Sequence, residues 1–137
     1  MEALVGKWNF VSTDNFEAYL KHVGVGMMTR KIAANLKPVL DFKVDEGDKW
    51  TMTSTSTFKV IVTEFVLGQE FEETTADGRQ MKTTFTFEDG KLVQSQKKIK
   101  DGDKDSRIER YVDADGNLVI VMESEGVVAK RVYEKAK

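Results

Sequence analysis

Short segments in which apolar and polar residues alternate make up most of the chain. The segment 81–88, MKTTFTFE, has an apolar residue or threonine at every odd-numbered position, and in the segment 107–112, RIERYV, Ile108 and Val112 share a face with Arg110. Side chains two residues apart lie on the same face of a β-strand, so this period predicts strands with one buried face. The chain is therefore predicted to be mainly β-structure.

Glycines separate these segments, and most of them have a neighbouring aspartate, as in hairpin turns. They are Gly47, Gly68, Gly78, Gly90, Gly102, Gly116 and Gly126. The spacing gives about ten strands in a meander, and closing such a meander into a barrel removes its exposed edges. A barrel of this size is too wide for side chains alone to fill, so a ligand cavity is expected.

One segment near the start of the chain has the period of a helix instead. Its apolar residues recur at i, i+3, i+4 and i+7 as Phe16, Tyr19, Leu20 and Val23. Asp14 or Asn15 is a suitable N-cap, and Gly24 ends the run. A second helix is predicted over about residues 27–36, before Lys37-Pro38, with Arg30 and Lys31 on its solvent side. The two helices would form a lid on the barrel.

Composition narrows the function classes. The 137 residues fit one domain, 1–137, without cysteine, and the absence of thiols suits a reducing compartment. The net charge of −2 offers no basic field for a nucleic acid, and neither a signal-peptide core nor a long apolar run occurs. His22 is the only histidine, so no metal cluster is predicted. A cytoplasmic protein without a cofactor is expected.

An ordered set of motifs over nearly the whole chain resembles the intracellular lipid-binding proteins, in particular the heart, adipocyte and myelin types of fatty-acid-binding protein. The motifs are Gly6-Lys7-Trp8, Asn15-Phe16 with Tyr19-Leu20, Val23-Gly24-Val25-Gly26 with Arg30-Lys31, Ser56-Thr57-Phe58-Lys59, residues 67–79 (LGQEFEETTADGR) and Arg131-Val132-Tyr133. The resemblance implies an all-β fold: a ten-stranded antiparallel up-and-down β-barrel capped by a helix-turn-helix. That fold agrees with the periodicity.

The resemblance also implies that Arg110, Arg131 and Tyr133 hold the carboxylate of a ligand inside the barrel. Alternation places Arg131 and Tyr133 on the same face as Val127 and Ala129. Two buried arginines near one another need an anion to be tolerated, and a carboxylate that accepts hydrogen bonds from both meets that need.

Further residues are assigned to the cavity or its portal by the same resemblance: Phe16, Tyr19, Leu20, Ala33, Phe58, Ala76, Asp77, Ile120 and Met122. From the residues alone, helix-to-barrel packing explains Phe16 and Tyr19 better than cavity lining does, and Phe58 is explained as well by an exposed turn as by a portal. Lys21, Arg30 and Lys31 are either a solvated helix face or a patch that contacts anionic membranes transiently.

The predicted function is that of an intracellular, monomeric carrier of long-chain fatty acids in the cytoplasm, with the nucleus as a second expected location. The alternative is a carrier of retinoic acid or another hydrophobic anion, because that branch of the family also binds a carboxylate with two arginines and a tyrosine. An enzyme is not expected, since the sequence offers no nucleophile paired with a base. A membrane-stacking role would require a strongly basic surface.

Overall fold

The fold was examined in a computed structural model that describes residues 2–46 and 48–137. The strands are β1 Gly6–Asp14, β2 Val39–Val44, β3 Lys49–Thr55, β4 Val60–Val66, β5 Phe71–Thr74, β6 Gln80–Glu88, β7 Lys91–Lys98, β8 Ser106–Val112, β9 Leu118–Ser124 and β10 Val127–Lys135. They form one ten-stranded antiparallel sheet in which the first strand also pairs with the last. The predicted barrel is therefore confirmed. The turn predicted at Gly47 lies outside the described residues.

The barrel is nearly, but not completely, closed by strand pairing. The order of the strands runs β4-β3-β2-β1-β10-β9-β8-β7-β6-β5, and no described ladder joins β4 to β5. The prediction that strand pairing closes the whole meander is therefore wrong at this seam between β4 and β5. Aromatic side chains cover the seam instead: Phe65 of β4 stacks on Phe85 of β6 at 3.7 Å between ring centroids, and Phe71 of β5 lies 6.2 Å from Phe85.

Two helices, α1 Phe16–His22 and α2 Met27–Ala34, lie between β1 and β2 as predicted. Helix α2 ends two residues earlier than expected, because the N–H groups of Asn35 and Leu36 bond to carbonyls three residues back in a tighter turn. Asn15 occupies the N-cap of α1, but its side chain makes no capping bond. Among the described residues, no helix is long and apolar enough to cross a membrane.

Helix α1 is fastened to the barrel by three side-chain contacts. Asn15 Nδ2 donates to the Val128 carbonyl at 2.8 Å, and the Tyr19 hydroxyl donates to Ser106 Oγ at 2.8 Å. His22 Nε2 lies 2.9 Å from Glu125 Oε1. The three contacts run from the residue before α1 to its last residue. Asn15 itself has left-handed backbone angles, φ 60° and ψ 17°, whereas a residue that caps with its side chain is extended.

Helix α2 is more exposed than α1 and has no buried residue. Lys31 is exposed as predicted, but Arg30 turns back and donates from Nη1 to the Val25 carbonyl at 2.6 Å, so it is half-buried. The prediction that Arg30 lies on the solvent side is therefore only partly right. Arg30 turns back from solvent because the carbonyl of Val25, in the turn between the helices, is a hydrogen-bond acceptor within reach of its guanidinium.

Alternation along the strands determines which side chains face the interior of the barrel. In β6, β8 and β10 the residues predicted to face inward are the more buried ones, and Trp8 and Trp50 are fully buried in the core. Gly78 and Gly116 adopt positive φ in the hairpin turns, a conformation that glycine adopts without strain. The sheet thus presents one continuous inner face.

Candidate functional site

A cavity of about 320 Å³ lies inside the barrel beneath the two helices, and its wall is mostly apolar. All twelve residues named above for the carboxylate site, the cavity and the portal line it. A volume of this order matches a site that encloses one small ligand. The structure thus brings together residues that are up to 117 positions apart in sequence, from Phe16 to Tyr133.

The mouth of the cavity lies between α2 and two hairpin turns. Ala33 of α2, Phe58 of the β3–β4 turn and Ala76 of the β5–β6 turn all line it. Lys59 Nζ donates to the Ala76 carbonyl at 2.9 Å and thereby joins the two turns. Phe58 is 52% exposed, so it is an exposed turn residue and at the same time part of the rim.

Arg131 is held by aromatic rings and weak hydrogen bonds. Its guanidinium carbon lies 4.3 Å from the ring centre of Phe16 and 4.7 Å from that of Phe10. Its nitrogens donate to the Tyr133 hydroxyl and to Thr13 Oγ1, each at 3.4 Å. Because Phe16 belongs to α1, the arginine connects the lid with the inner face of β10. Its hydrogen bonds are long, which leaves room for a stronger acceptor.

Arg110 is buried and poorly satisfied. Nε and Nη1 have no hydrogen-bond partner among the described protein groups, and the side chain is 7% exposed with its guanidinium 5.7 Å from the Phe85 ring. Burial lowers the pKa of Arg110 to about 10, while attraction to Glu73 and to the tyrosines opposes this. Arg110 is therefore a cation at neutral pH with donors available to an anion. Arg110, Arg131 and Tyr133 are called the anion site below.

Glu73 forms a buried polar network that the sequence analysis did not assign. Its Oε1 accepts hydrogen bonds from Thr83 Oγ1 at 2.7 Å, Gln94 Nε2 at 2.9 Å and Gln96 Nε2 at 3.1 Å. All three donors are buried. Its position two residues after the inward Phe71 was the available signal. These four residues, Glu73, Thr83, Gln94 and Gln96, are called the Glu73 network.

Asp77 and Arg79 form a second, self-contained pair near the mouth. Arg79 Nε donates to Asp77 Oδ2 at 2.7 Å, and the Thr75 hydroxyl donates to Oδ1 at 2.8 Å. Burial raises the pKa of Asp77, but the hydrogen bond and charge of Arg79 and the bond from Thr75 outweigh it, so the pKa lies below its ordinary value. The pair therefore adds no net charge to the cavity.

The Asp77→Asn variant tests this pair. At pH 7 we expect its free energy of unfolding to be about 1–3 kcal/mol lower than the parent's, because Arg79 keeps its charge and loses its ionised partner. A carboxyl whose pKa is depressed by folding stabilises above its unfolded pKa, about 3.9, and loses that contribution as pH falls through the folded pKa. The difference between parent and variant in urea unfolding should thus be equal at pH 7 and pH 5 and shrink below about pH 4.

Asp101→Asn, in the exposed β7–β8 turn, is the matched control for that experiment. It removes the same charge without touching the cavity, so it should change the free energy of unfolding by less than about 0.5 kcal/mol. A difference for Asp77→Asn that does not change down to pH 2 would contradict the ionised pair.

The sequence matches the lipocalin / cytosolic fatty-acid binding protein family over residues 5–136. An internal cavity with buried arginines, under a two-helix lid, is thus found in a chain that belongs to this family. The resemblance to the intracellular lipid-binding proteins is confirmed.

Similar individual proteins agree with this placement. Fatty acid-binding protein homolog 6 of Caenorhabditis elegans is 52% identical over 132 residues, which are 96% of each chain. The crystal structure of apo lipid binding protein 8 of C. elegans superposes with a TM-score of 0.95 at 36% identity, covering 99% of this chain and 97% of that one. The fatty acid binding protein of Schistosoma mansoni in complex with arachidonic acid has a TM-score of 0.91 at 34% identity, covering 100% and 98%.

Proposed function

We propose that this protein binds a long-chain fatty acid in the barrel cavity and carries it through the cytoplasm as a monomer. The observation that carries the proposal is the pair of buried arginines on a mostly apolar wall, of which Arg110 keeps two donors without a partner among the described protein groups. A carboxylate that accepts from Arg110 and Arg131, with the Tyr133 hydroxyl beside it, satisfies those donors. The relatives' names and the arachidonic acid complex of the S. mansoni protein support the choice of ligand.

The acyl chain supplies most of the attraction in this proposal. Each buried methylene contributes about 0.8 kcal/mol, so a sixteen-carbon chain gives roughly 10 kcal/mol before the costs of ordering and desolvation. Leu20, Ala33, Ile120 and Met122 offer it an apolar surface, and Phe58 with Ala76 lies where the chain would enter. The arginines then fix the orientation of the ligand. This division of roles requires no catalytic step, and we infer a carrier rather than an enzyme.

Displacement of an environment-sensitive fluorescent probe tests the proposal. We expect oleate to displace the probe with a dissociation constant from about ten nanomolar to a micromolar. Methyl oleate, which has the same chain without a charge, should bind at least about tenfold more weakly. All-trans-retinoic acid distinguishes the alternative function, because a retinoic acid carrier would bind it more tightly than oleate. If neither acid displaces the probe, the proposed function is wrong.

We further propose that the lid contacts anionic membranes while ligand is transferred. Lys21 and Lys31 are exposed on the two helices, and Met27 and Met28 of the first turn of α2 are 62% and 80% exposed. Cationic side chains beside exposed apolar ones are typical of surfaces that bind the membrane interface. Arg30 contributes less to this surface, because it is bonded to Val25.

Replacing Lys21 and Lys31 together with glutamate should slow the transfer of a fluorescent fatty acid to anionic vesicles by about tenfold or more, since surface charge governs the rate of encounter. Affinity for oleate should stay within about threefold. Lys7→Glu with Lys43→Glu changes the charge equally at the other end of the barrel and should leave the rate unchanged. Equal slowing by both double variants would contradict a specific contact through the lid.

A further inference from the structure

We propose that Glu73 makes the cavity selective for head groups with a single negative charge and excludes doubly charged ones. The inference rests on the proposed binding of a lipid anion at the anion site and concerns a residue outside it. Glu73 lies on the inner face of β5, at the cavity wall, with its Oε1 bound by three side chains. A carboxylate in a cavity for anionic lipids requires an explanation.

The charges on the wall can be counted among the described residues. Asp77 and Arg79 neutralise one another, and Lys59 is exposed at the mouth, bonded to a carbonyl. Burial raises the pKa of Tyr19, so this phenol adds no charge. Two arginines, Arg110 and Arg131, and one carboxylate, Glu73, remain in the interior. The interior therefore carries one net positive charge, which one monoanion balances.

Three hydrogen bonds hold the Glu73 carboxylate in place. Three donors that converge on one oxygen fit an ionised carboxylate, which only accepts. Gln94 lies between Glu73 and the anion site: it donates to Glu73, and the residue diagonal to it on β8 is Arg110. Among the charged groups near Arg110, Glu73 has the largest effect on the pKa of that arginine and raises it.

The consequence for ligands follows from Coulomb's law. A second negative charge on the head group gains attraction from the arginines, but it meets Glu73 in a poorly solvated interior where repulsion is screened little. After Glu73 is counted, the two arginines leave one net positive charge, which balances only one negative charge of the ligand. A second negative charge would lose its hydration without gaining a counter-charge. A fatty acid or another monoanion fits this arrangement, whereas an alkyl phosphate at alkaline pH does not.

A comparison of dodecyl phosphate with dodecyl sulfate tests the effect of head-group charge while the head-group shape stays nearly the same. Both head groups are tetrahedral, but the sulfate is always a monoanion, while the phosphate loses its second proton near pH 6. We expect the parent protein to bind both about equally at pH 5 and to prefer the sulfate by about tenfold or more at pH 8. The readout is probe displacement at low micromolar ligand, with dodecanoate as the reference ligand at pH 8.

Three variants test whether the preference for the sulfate at pH 8 depends on the charge of Glu73. In Glu73→Gln, which keeps an acceptor for the network, the sulfate preference at pH 8 should fall to less than about threefold. Glu73→Asp keeps the charge and should keep the preference. Glu72→Gln removes the same charge from the outer face of β5 and should also keep it.

The outcomes distinguish the inference from the proposed function. If the parent binds dodecanoate but shows the same phosphate-to-sulfate ratio at pH 5 and pH 8, the selectivity proposed for Glu73 is wrong and the carrier function stands. This measurement needs no variant, so it holds even if Glu73→Gln fails to fold. An unchanged preference in a folded Glu73→Gln would also overturn the inference. A parent that binds no dodecanoate and no oleate would overturn the proposed function itself.

Discussion

We expect the Arg110→Gln variant to bind oleate at least about tenfold more weakly than the parent protein, because truncating one side of a buried charge pair typically costs about 2–5 kcal/mol. Arg110 is the stronger test of the two arginines. Its Nε and Nη1 have no partner among the described protein groups, whereas Arg131 is already bonded to Tyr133 and Thr13 and lies against two rings. Probe displacement by oleate measures the loss.

The unliganded variant should be as stable as the parent or more stable, since it no longer buries a cation with two unsatisfied donors. The corresponding Arg131→Gln should also bind oleate more weakly, but it should lose stability, because the contacts of the guanidinium with Phe10 and Phe16 are removed. Urea unfolding without ligand separates these two behaviours.

Arg107→Gln is the matched control on the same strand. Arg107 points outward, where it bonds to Glu109, and its side chain is 49% exposed. The variant should bind oleate like the parent. A neutral lipid such as retinol has no carboxylate and should bind Arg110→Gln no worse than the parent. If Arg110→Gln and Arg131→Gln both fold and both keep the oleate affinity of the parent, the anion site does not hold the ligand.

Local signals were sufficient for most of the fold. Alternation along 81–88 and 107–112 gave the inner face of the barrel, and the glycine turns gave the order of the hairpins, because both depend only on neighbouring residues. The seam between β4 and β5 could not be found in this way. From β2 onward each strand is joined to the next by a short connection, and the connection between β4 and β5 looks like the others in sequence, so the sequence does not mark the pair that lacks a ladder.

The two differences at the helices come from backbone geometry and contacts that the spacing of residue types does not show. Asn15 has the sequence of a helix cap, but its backbone is left-handed, and its side-chain nitrogen donates to the carbonyl of Val128, 113 positions away. Arg30 has the spacing of a solvated residue, and its bond to Val25 depends on the geometry of the turn between the helices. Helix capping and solvent exposure were predicted from residue types and their spacing. These do not show where the backbone carbonyls of Val128 and Val25 lie.

The candidate site was predictable where its residues stand out against an apolar face. Arg110 and Arg131 follow the alternation of their strands, and the family resemblance then assigned them to the ligand. Glu73 did not stand out, because Phe71 is the one apolar residue of 70–74, EFEET, and alone marks the inner face only weakly. Its role becomes visible only when β6 and β7 bring Thr83, Gln94 and Gln96 to the same oxygen.

The largest effect on stability is expected for Phe85→Ala, which should lower the free energy of unfolding by about 3–5 kcal/mol. Phe85 is completely buried, and its ring stacks on Phe65 and lies beside Phe71. These residues come from the two sides of the seam, where no described ladder adds hydrogen bonds. The alanine would therefore leave a cavity and also remove the contact that holds β4 near β5.

Amide hydrogen exchange separates these two effects. A general loss of stability would speed exchange in all strands that open globally, whereas opening of the seam should speed it first in β4 and β5 and leave β1 and β10 protected. Phe85→Leu is the control, since it retains most of the apolar volume and should cost less than about 1.5 kcal/mol. Phe87→Ala, at a half-buried position on the same strand, should cost less than Phe85→Ala. If exchange in Phe85→Ala rose equally in β1, β4, β5 and β10, the aromatic stack would be ordinary core packing, and another contact would have to hold the seam together.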